Sequence, residues 1–274
     1  MNNTYQVYLI SDSTGETLDR IFLALKAQFT NFNYKSHQYS FTRTENQILK
    51  ILDICAKNKN SIILYTIVDI RLARYLTKKT GELNIPCFSV LGDLILRLSK
   101  LLHQEASHLP SGQHVLDDDY YKRIEAIQFT MNHDDGKEFL DIEKSDIILL
   151  GVSRTSKTPT SIYLANRGFK TSNIPIVSKK SITTEIILKI KKTCVVGLTT
   201  EPDRLIDIRK NRLSLIKEKN TSTYVSLEEI KKEVMFAKIL FKKNNWPIID
   251  VTRKSVEETA ASVIKIYDII KKND

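Results

Sequence analysis

Eight consecutive residues have the types and order to hold a phosphate: Gly151-Val152-Ser153-Arg154-Thr155-Ser156-Lys157-Thr158. An apolar run, Ile147-Ile148-Leu149-Leu150, precedes them, and a helical pattern from Ser161 to Arg167 follows. Strand, tight loop and helix is the order a phosphate-binding loop requires. Loop N–H groups and the positive end of the next helix attract an anion. Lys157 has the reach for outer phosphates, and the Thr158 hydroxyl is a Mg²⁺ contact if a metal is used. Ser156 stands where the general motif has its second glycine, one departure from the pattern. A strand-to-helix turn that merely contains Lys and Thr is the alternative. The flanking strand and helix favour a nucleotide di- or triphosphate.

Other candidates are less specific. Residues 11–17, Ser-Asp-Ser-Thr-Gly-Glu-Thr, follow a strand and open a helix. They suit either an anion seat or an ordinary helix start capped by Ser13 or Thr14. His133-Asp134-Asp135-Gly136 sets a histidine beside two carboxylates. That combination suits acid–base work or metal contact through water, and equally a turn closed by glycine. Asp69 reads as a helix cap. Arg209 and Arg212, three apart in a basic helix from Pro202 to Lys217, share a helical face. Arginine forks suit transferring phosphates, and a solvated face is the alternative.

The elements that position these groups alternate. Strands at 5–10, 37–41, 61–67 and 87–90 are separated by helical patterns, which implies a parallel sheet covered on both faces. The alternation breaks over 103–145, where a turn cluster, the acidic run Asp117-Asp118-Asp119 and a helix through Tyr120, Ile124 and Ile127 occur. It resumes with strands at 147–150, 174–177, 194–198 and 247–250. The fold class is therefore α/β: an N-terminal parallel-sheet α/β domain over 1–105, a connecting segment over 106–145 carrying HDDG, and a P-loop kinase-like α/β domain over 146–274. Ligands of such sheets sit at the carboxyl ends of the strands.

Composition narrows the class. The 274 residues, 42% of them hydrophobic, suffice for two modest domains. No apolar run is long enough to cross a membrane, and the N-terminus has no secretory pattern. Cys55, Cys87 and Cys194 lie far apart in apolar surroundings and read as reduced thiols of a cytoplasmic protein. The net charge of +10 comes from lysine spread over the whole chain. With no basic stripe interleaved with aromatics, the reading is no nucleic-acid partner. A closed dimer is the commonest assembly and is the expectation here.

With these motifs in hand, the chain resembles the bifunctional regulatory proteins of pyruvate, phosphate dikinase and of phosphoenolpyruvate synthase. The similar blocks are SDSTGET at 11–17, TIVD at 66–69, IPCFSVLG at 85–92 and PSGQHVLDDDYYKRIEAIQFTMNHDDG at 110–136. GVSRTSKTPTSIYLANRG at 151–168, VGLTTEPDRLIDIRKNR at 196–212 and WPIIDVTRKSVEETA at 246–260 complete them. Ser156 belongs to that family's own pattern. The resemblance implies ADP-dependent phosphorylation of a target threonine, which inactivates the target. It also implies phosphorolysis of that phosphothreonine, with inorganic phosphate attacking and pyrophosphate leaving. It implies ADP phosphates on the loop from Gly151 to Thr158, with Lys157, Asp134 and His133 as catalytic candidates and Thr158 as the metal contact. An ATP-dependent kinase of a small metabolite is the rival reading, motivated by the arginine-bearing helix. The separate first domain weighs against it.

Overall fold

The computed structural model describes residues 4–112, 117–136, 139, 141–177, 182–216 and 224–273. Lys217, where the basic helix is read to end, lies outside them. The chain forms two compact units, Met1–Val115 and Leu116–Asp274.

In the first unit β1 (Tyr5–Ser11), β2 (Tyr34–Tyr39), β3 (Ser61–Thr66) and β4 (Cys87–Ser89) form a parallel sheet ordered β2-β1-β3-β4. The helices α1 (Glu16–Lys26), α2 (Glu45–Lys57), α3 (Ile70–Glu82) and α4 (Gly92–Leu102) alternate with the strands. Period-two alternation sorts β1 between two cores. Tyr8 and Ile10 pack with Ile48, Leu52, Leu72 and Leu76 of α2 and α3. Val7 and Leu9 pack with Leu18 and Phe22 of α1. Each such side chain contributes about 1.5–3 kcal/mol on burial. Asp69 caps α3, its carboxylate accepting from Leu72 N at 3.0 Å. Phe29 lies past the end of α1 and is exposed.

The second unit repeats the strand order. It opens with α5 (Asp118–Asn132) and two 3-10 turns, Asp134–Gly136 and Ile142–Lys144, and continues with β5 (Ile147–Gly151) and α6 (Lys157–Ala165). β6 (Thr171–Pro175), α7 (Thr184–Lys189), β7 (Cys194–Thr199), α8 (Pro202–Ile216), α9 (Leu227–Lys243), β8 (Ile248–Asp250) and α10 (Val256–Asn273) follow. The parallel sheet runs β6-β5-β7-β8. Ile148 and Leu150 of β5 face a core with Ile230, Val234 and Phe241 of α9. Ile147 and Leu149 face Leu164 of α6 and Ala260 and Val263 of α10. Two buried faces explain why β5 is apolar at every position.

One strand starts earlier than its apolar run predicts. β6 begins at Thr171, and Thr171, Ser172 and Asn173 are all buried. Their polar groups are met locally: Thr171 N donates to Thr130 Oγ1 at 3.0 Å, and the Ser172 and Ser145 hydroxyls pair at 2.7 Å. No helix among the described residues is long and apolar enough to cross a membrane.

Candidate active site

β5 is central in its sheet, flanked by β6 on one side and β7 on the other. Crossovers leave in opposite directions from such a strand, which opens a crevice at its carboxyl end. The loop 151–158 lies there. Gly151 is required by close approach: a Cβ at this position would stand 2.6 Å from Thr155 Oγ1 and 2.7 Å from the Leu198 carbonyl oxygen. Val152 is buried, and its carbonyl oxygen accepts from Thr155 Oγ1 and from Lys157 Nζ, both at 3.0 Å. Arg154 and Ser156 adopt left-handed backbone, at φ 77° and 58°. Such strain in non-glycine residues collects at functional sites. Ser156 precedes α6 without capping it, so the helix start stays open to an anion.

A cavity of ≈510 Å³ lies over this loop, lined among others by Asp134, Asp135, Arg154, Lys157, Thr158 and Arg212. That volume suits a nucleotide-sized ligand. Lys157 is 5% exposed, and burial pushes its ammonium down to about 8, against the pull of Asp135 and Asp134. Thr158 Oγ1 donates to Asp134 Oδ1 at 3.0 Å. Asn173 Nδ2 donates to the same carboxylate oxygen and, at 2.9 Å, to Thr158 Oγ1. The HDDG turn is pinned to β6 by Asn173 N, which donates to the His133 carbonyl at 3.1 Å. Asn173 Oδ1 is buried and has no partner among the described residues.

The structure thus brings Asp134 to the loop, 24 residues away in sequence, and turns His133 elsewhere. The His133 ring is 3% exposed and stacks on Phe129 at 3.9 Å. Its nitrogens meet the Phe129 carbonyl and the Asp141 carboxylate, each at 2.8 Å. The His133 hydrogen bond in turn lowers the Asp141 pKa. His133 anchors the turn that carries Asp134 and does not line the cavity.

The two arginines of α8 divide. Arg212 lines the cavity. Arg209 is 1% exposed and pairs with Glu233 of α9 at 2.6 Å. It also donates to the Tyr224 carbonyl at 3.0 Å and to the Ser153 carbonyl at 3.4 Å, and lies 4.6 Å from the Tyr224 ring centre. The Tyr224 hydroxyl accepts from Arg154 Nε at 3.3 Å and sits 3.5 Å from Ser153 Oγ. Burial pushes the Tyr224 phenol up, but these hydrogen bonds and the two arginine charges outweigh it, so its pKa is lowered. Arg209 and Tyr224 thus tie the 151–158 loop to α8 through Ser153 and Arg154. Glu233→Ala leaves the Arg209 charge buried without its carboxylate and is expected to cost roughly 3 kcal/mol, read from the shift in urea unfolding midpoint.

Asn173 and Tyr224 carry no signal in the sequence. Asn173 sits in a polar triplet ahead of an apolar run, and Tyr224 belongs to no periodic pattern.

A family model described as kinase/pyrophosphorylase matches residues 7–264. The chain belongs to the kinase/pyrophosphorylase family. As a member it is a phosphotransferase, and the 151–158 loop and its cavity lie inside the matched span. A relative from Pelagibacter ubique is 65% identical over 273 residues, covering 100% of both chains. Relatives from Erythrobacter litoralis, 45% identical, and Sphingopyxis alaskensis, 47% identical, each cover 96% of this kinase/pyrophosphorylase and 94% and 96% of themselves. All three carry the provisional name pyruvate, phosphate dikinase regulatory protein.

Proposed function

We propose that this chain transfers the β-phosphoryl group of ADP to a threonine hydroxyl of pyruvate, phosphate dikinase, and removes it again by phosphorolysis. In the forward direction the threonine oxygen bonds to the β-phosphorus, the bridging P–O bond breaks, and AMP leaves. In the reverse direction an oxygen of inorganic phosphate attacks the phosphothreonine phosphorus, and pyrophosphate leaves with the threonine hydroxyl restored. The names of the relatives support the dikinase as target.

The observation that carries this reading is the meeting of the open α6 start, Lys157 and the Thr158–Asp134 pair at one cavity. The loop from Gly151 to Thr158 and the Lys157 ammonium hold the phosphoryl group being transferred. Asp134 takes the threonine proton. Arg154 and Arg212 at the cavity wall neutralise the second phosphate. His133 holds the Asp134 turn in place through Phe129 and Asp141.

Mg²⁺ fits this donor set: the Thr158 hydroxyl and Asp134 carboxylate are hard oxygens 3.0 Å apart, and Asp135 lines the same cavity. Among the described residues no group of three or more His, Cys, Asp or Glu stands together as a metal site. When bound there, the ion shares the charge that develops on the transferring phosphoryl group.

The test supplies purified chain with dikinase and ADP labelled in its β-phosphate. Label is expected in a dikinase threonine, with AMP as co-product, and is released as pyrophosphate when inorganic phosphate is added. Label that never reaches the dikinase overturns the reading.

A further inference from the structure

Burial alone favours an apolar residue at position 173. Asn173 lies in register with Leu149 of β5, which places both side chains on the α6 face of the sheet. Leu149 meets Leu164 of α6 there, whereas Asn173 brings a carboxamide and is 0% exposed. Thr171 and Ser172 beside it are also buried, but their hydroxyls meet the Phe169 carbonyl at 3.1 Å and the Ser145 hydroxyl at 2.7 Å. The Asn173 side-chain oxygen has no partner among the described residues. An unmet buried acceptor costs stability through its lost hydration. Of these three polar positions, the one that bears this cost is the one that reaches the site.

Both hydrogens of the carboxamide nitrogen are engaged. One goes to Asp134 Oδ1, and the other goes to Thr158 Oγ1 at 2.9 Å. Chemistry sets this orientation: a carboxylate offers only acceptors, so the nitrogen and not the oxygen faces it. Thr158 Oγ1 closes the ring by donating to the same Asp134 oxygen at 3.0 Å.

The ring fixes two groups at once. The Thr158 hydroxyl hydrogen is committed to Asp134 and one lone pair to Asn173, which leaves the second lone pair open to a ligand. The hydrogen bonds that Asp134 accepts among the described residues both end on Oδ1, so Oδ2 is the oxygen left free. Asp134 and Thr158 both line the cavity, and Asn173 stands behind them. The Asn173 backbone acts on the same turn, its N–H donating to the His133 carbonyl at 3.1 Å. Asn173 therefore holds the HDDG turn at two points and the first turn of α6 at a third.

We propose that Asn173 is a positioning residue for phosphoryl transfer: its carboxamide joins the HDDG turn to the 151–158 loop and leaves Asp134 Oδ2 for the acceptor hydroxyl. This role presupposes Asp134 as the group that takes the threonine proton. Orientation matters there because a displacement of about 1 Å can cost about 10²-fold in rate.

The test measures transfer from ADP labelled in its β-phosphate to the dikinase with full-length Asn173→Leu. Leucine repeats the branched shape of asparagine with two methyl groups, and it removes both donors together with the unmet acceptor. The variant is expected to fold as the parent does, judged by its thermal unfolding transition. Its kcat is expected to fall about tenfold or more in both directions, with KM for ADP within about twofold of the parent. A residue that only fills space predicts an unchanged kcat, since leucine fills it as well. Asn173→Ala gives the same comparison should leucine pack poorly. In an Asp134→Asn background Asn173→Leu is expected to add little, because groups that act as one unit are not additive. A parental kcat in the leucine variant, a loss confined to KM, or a full further loss in the double variant overturns the proposal. Failure of the Asp134 role looks different: the parent transfers nothing, or Asp134→Asn keeps full transfer, and either result removes the role of Asn173 with it.

Discussion

Lys157→Met is expected to reduce phosphoryl transfer by about 10²–10³ or more while leaving the fold intact. The expectation rests on burial. Lys157 is 5% exposed, and its ammonium is held by the Val152 carbonyl with no carboxylate ion pair among the described residues. Methionine keeps the apolar stem and removes only the charge. Its cost should appear in kcat, because charge on the phosphoryl oxygens is greatest in the transition state.

The same residue sets a pH dependence of stability. Burial lowers the Lys157 pKa from 10.5 to about 8 in the folded chain. Between those values the unfolded chain holds a proton that the folded chain has lost, so this residue's contribution to stability rises with pH across that window. Below about 8 both states are protonated, and the folded state bears the full cost of the buried charge. Thermal unfolding of Lys157→Met should therefore show a higher midpoint than the parent near neutral pH, with the difference closing toward pH 10. Nucleotide affinity of the parent should weaken as pH rises through about 8, as the ammonium that attracts phosphate is lost. A variant that keeps full transfer, or an ADP affinity flat across that range, removes Lys157 from the proposed role.

Asp134→Asn is the second large effect. The substitution is isosteric and preserves an oxygen to accept from Thr158, so the local structure should survive. What disappears is the negative charge and the ability to take a proton. Loss of a general base costs about 10²–10⁴ in rate. Both directions should fall together, since the base of one is the acid of the other. A base predicts loss in kcat with little change in KM for ADP. A residue that merely helps seat the nucleotide predicts the reverse, a raised KM at near-normal kcat. Single-turnover transfer at saturating ADP separates the two: the rate of the step itself should fall in Asp134→Asn.

Local chemistry made much of this protein legible in advance. Strand and helix alternation depends on hydrophobic period, which is written residue by residue, and it places the two parallel sheets. The candidate loop from Gly151 to Thr158 is contiguous, so its place between β5 and α6 could be read from spacing alone. The Asp69 cap needs only a carboxylate three residues ahead of an open N–H.

Tertiary structure decided the rest. Buried polar Thr171, Ser172 and Asn173 form strand because α5 and the 145 segment supply their hydrogen bonds, a compensation no local window contains. The HDDG motif held two plausible catalytic groups side by side, and only the fold separates them. Asn173 draws Asp134 onto Thr158, whereas Phe129 and Asp141 draw His133 the other way. Likewise Arg209 and Arg212 share a helical face in sequence, yet Glu233 from α9 buries one and leaves the other at the cavity. The physical reason is common to all three. A strand, loop or helix start is specified by neighbours in the chain, but the direction a polar side chain takes is set by which distant donor or acceptor meets its desolvation cost.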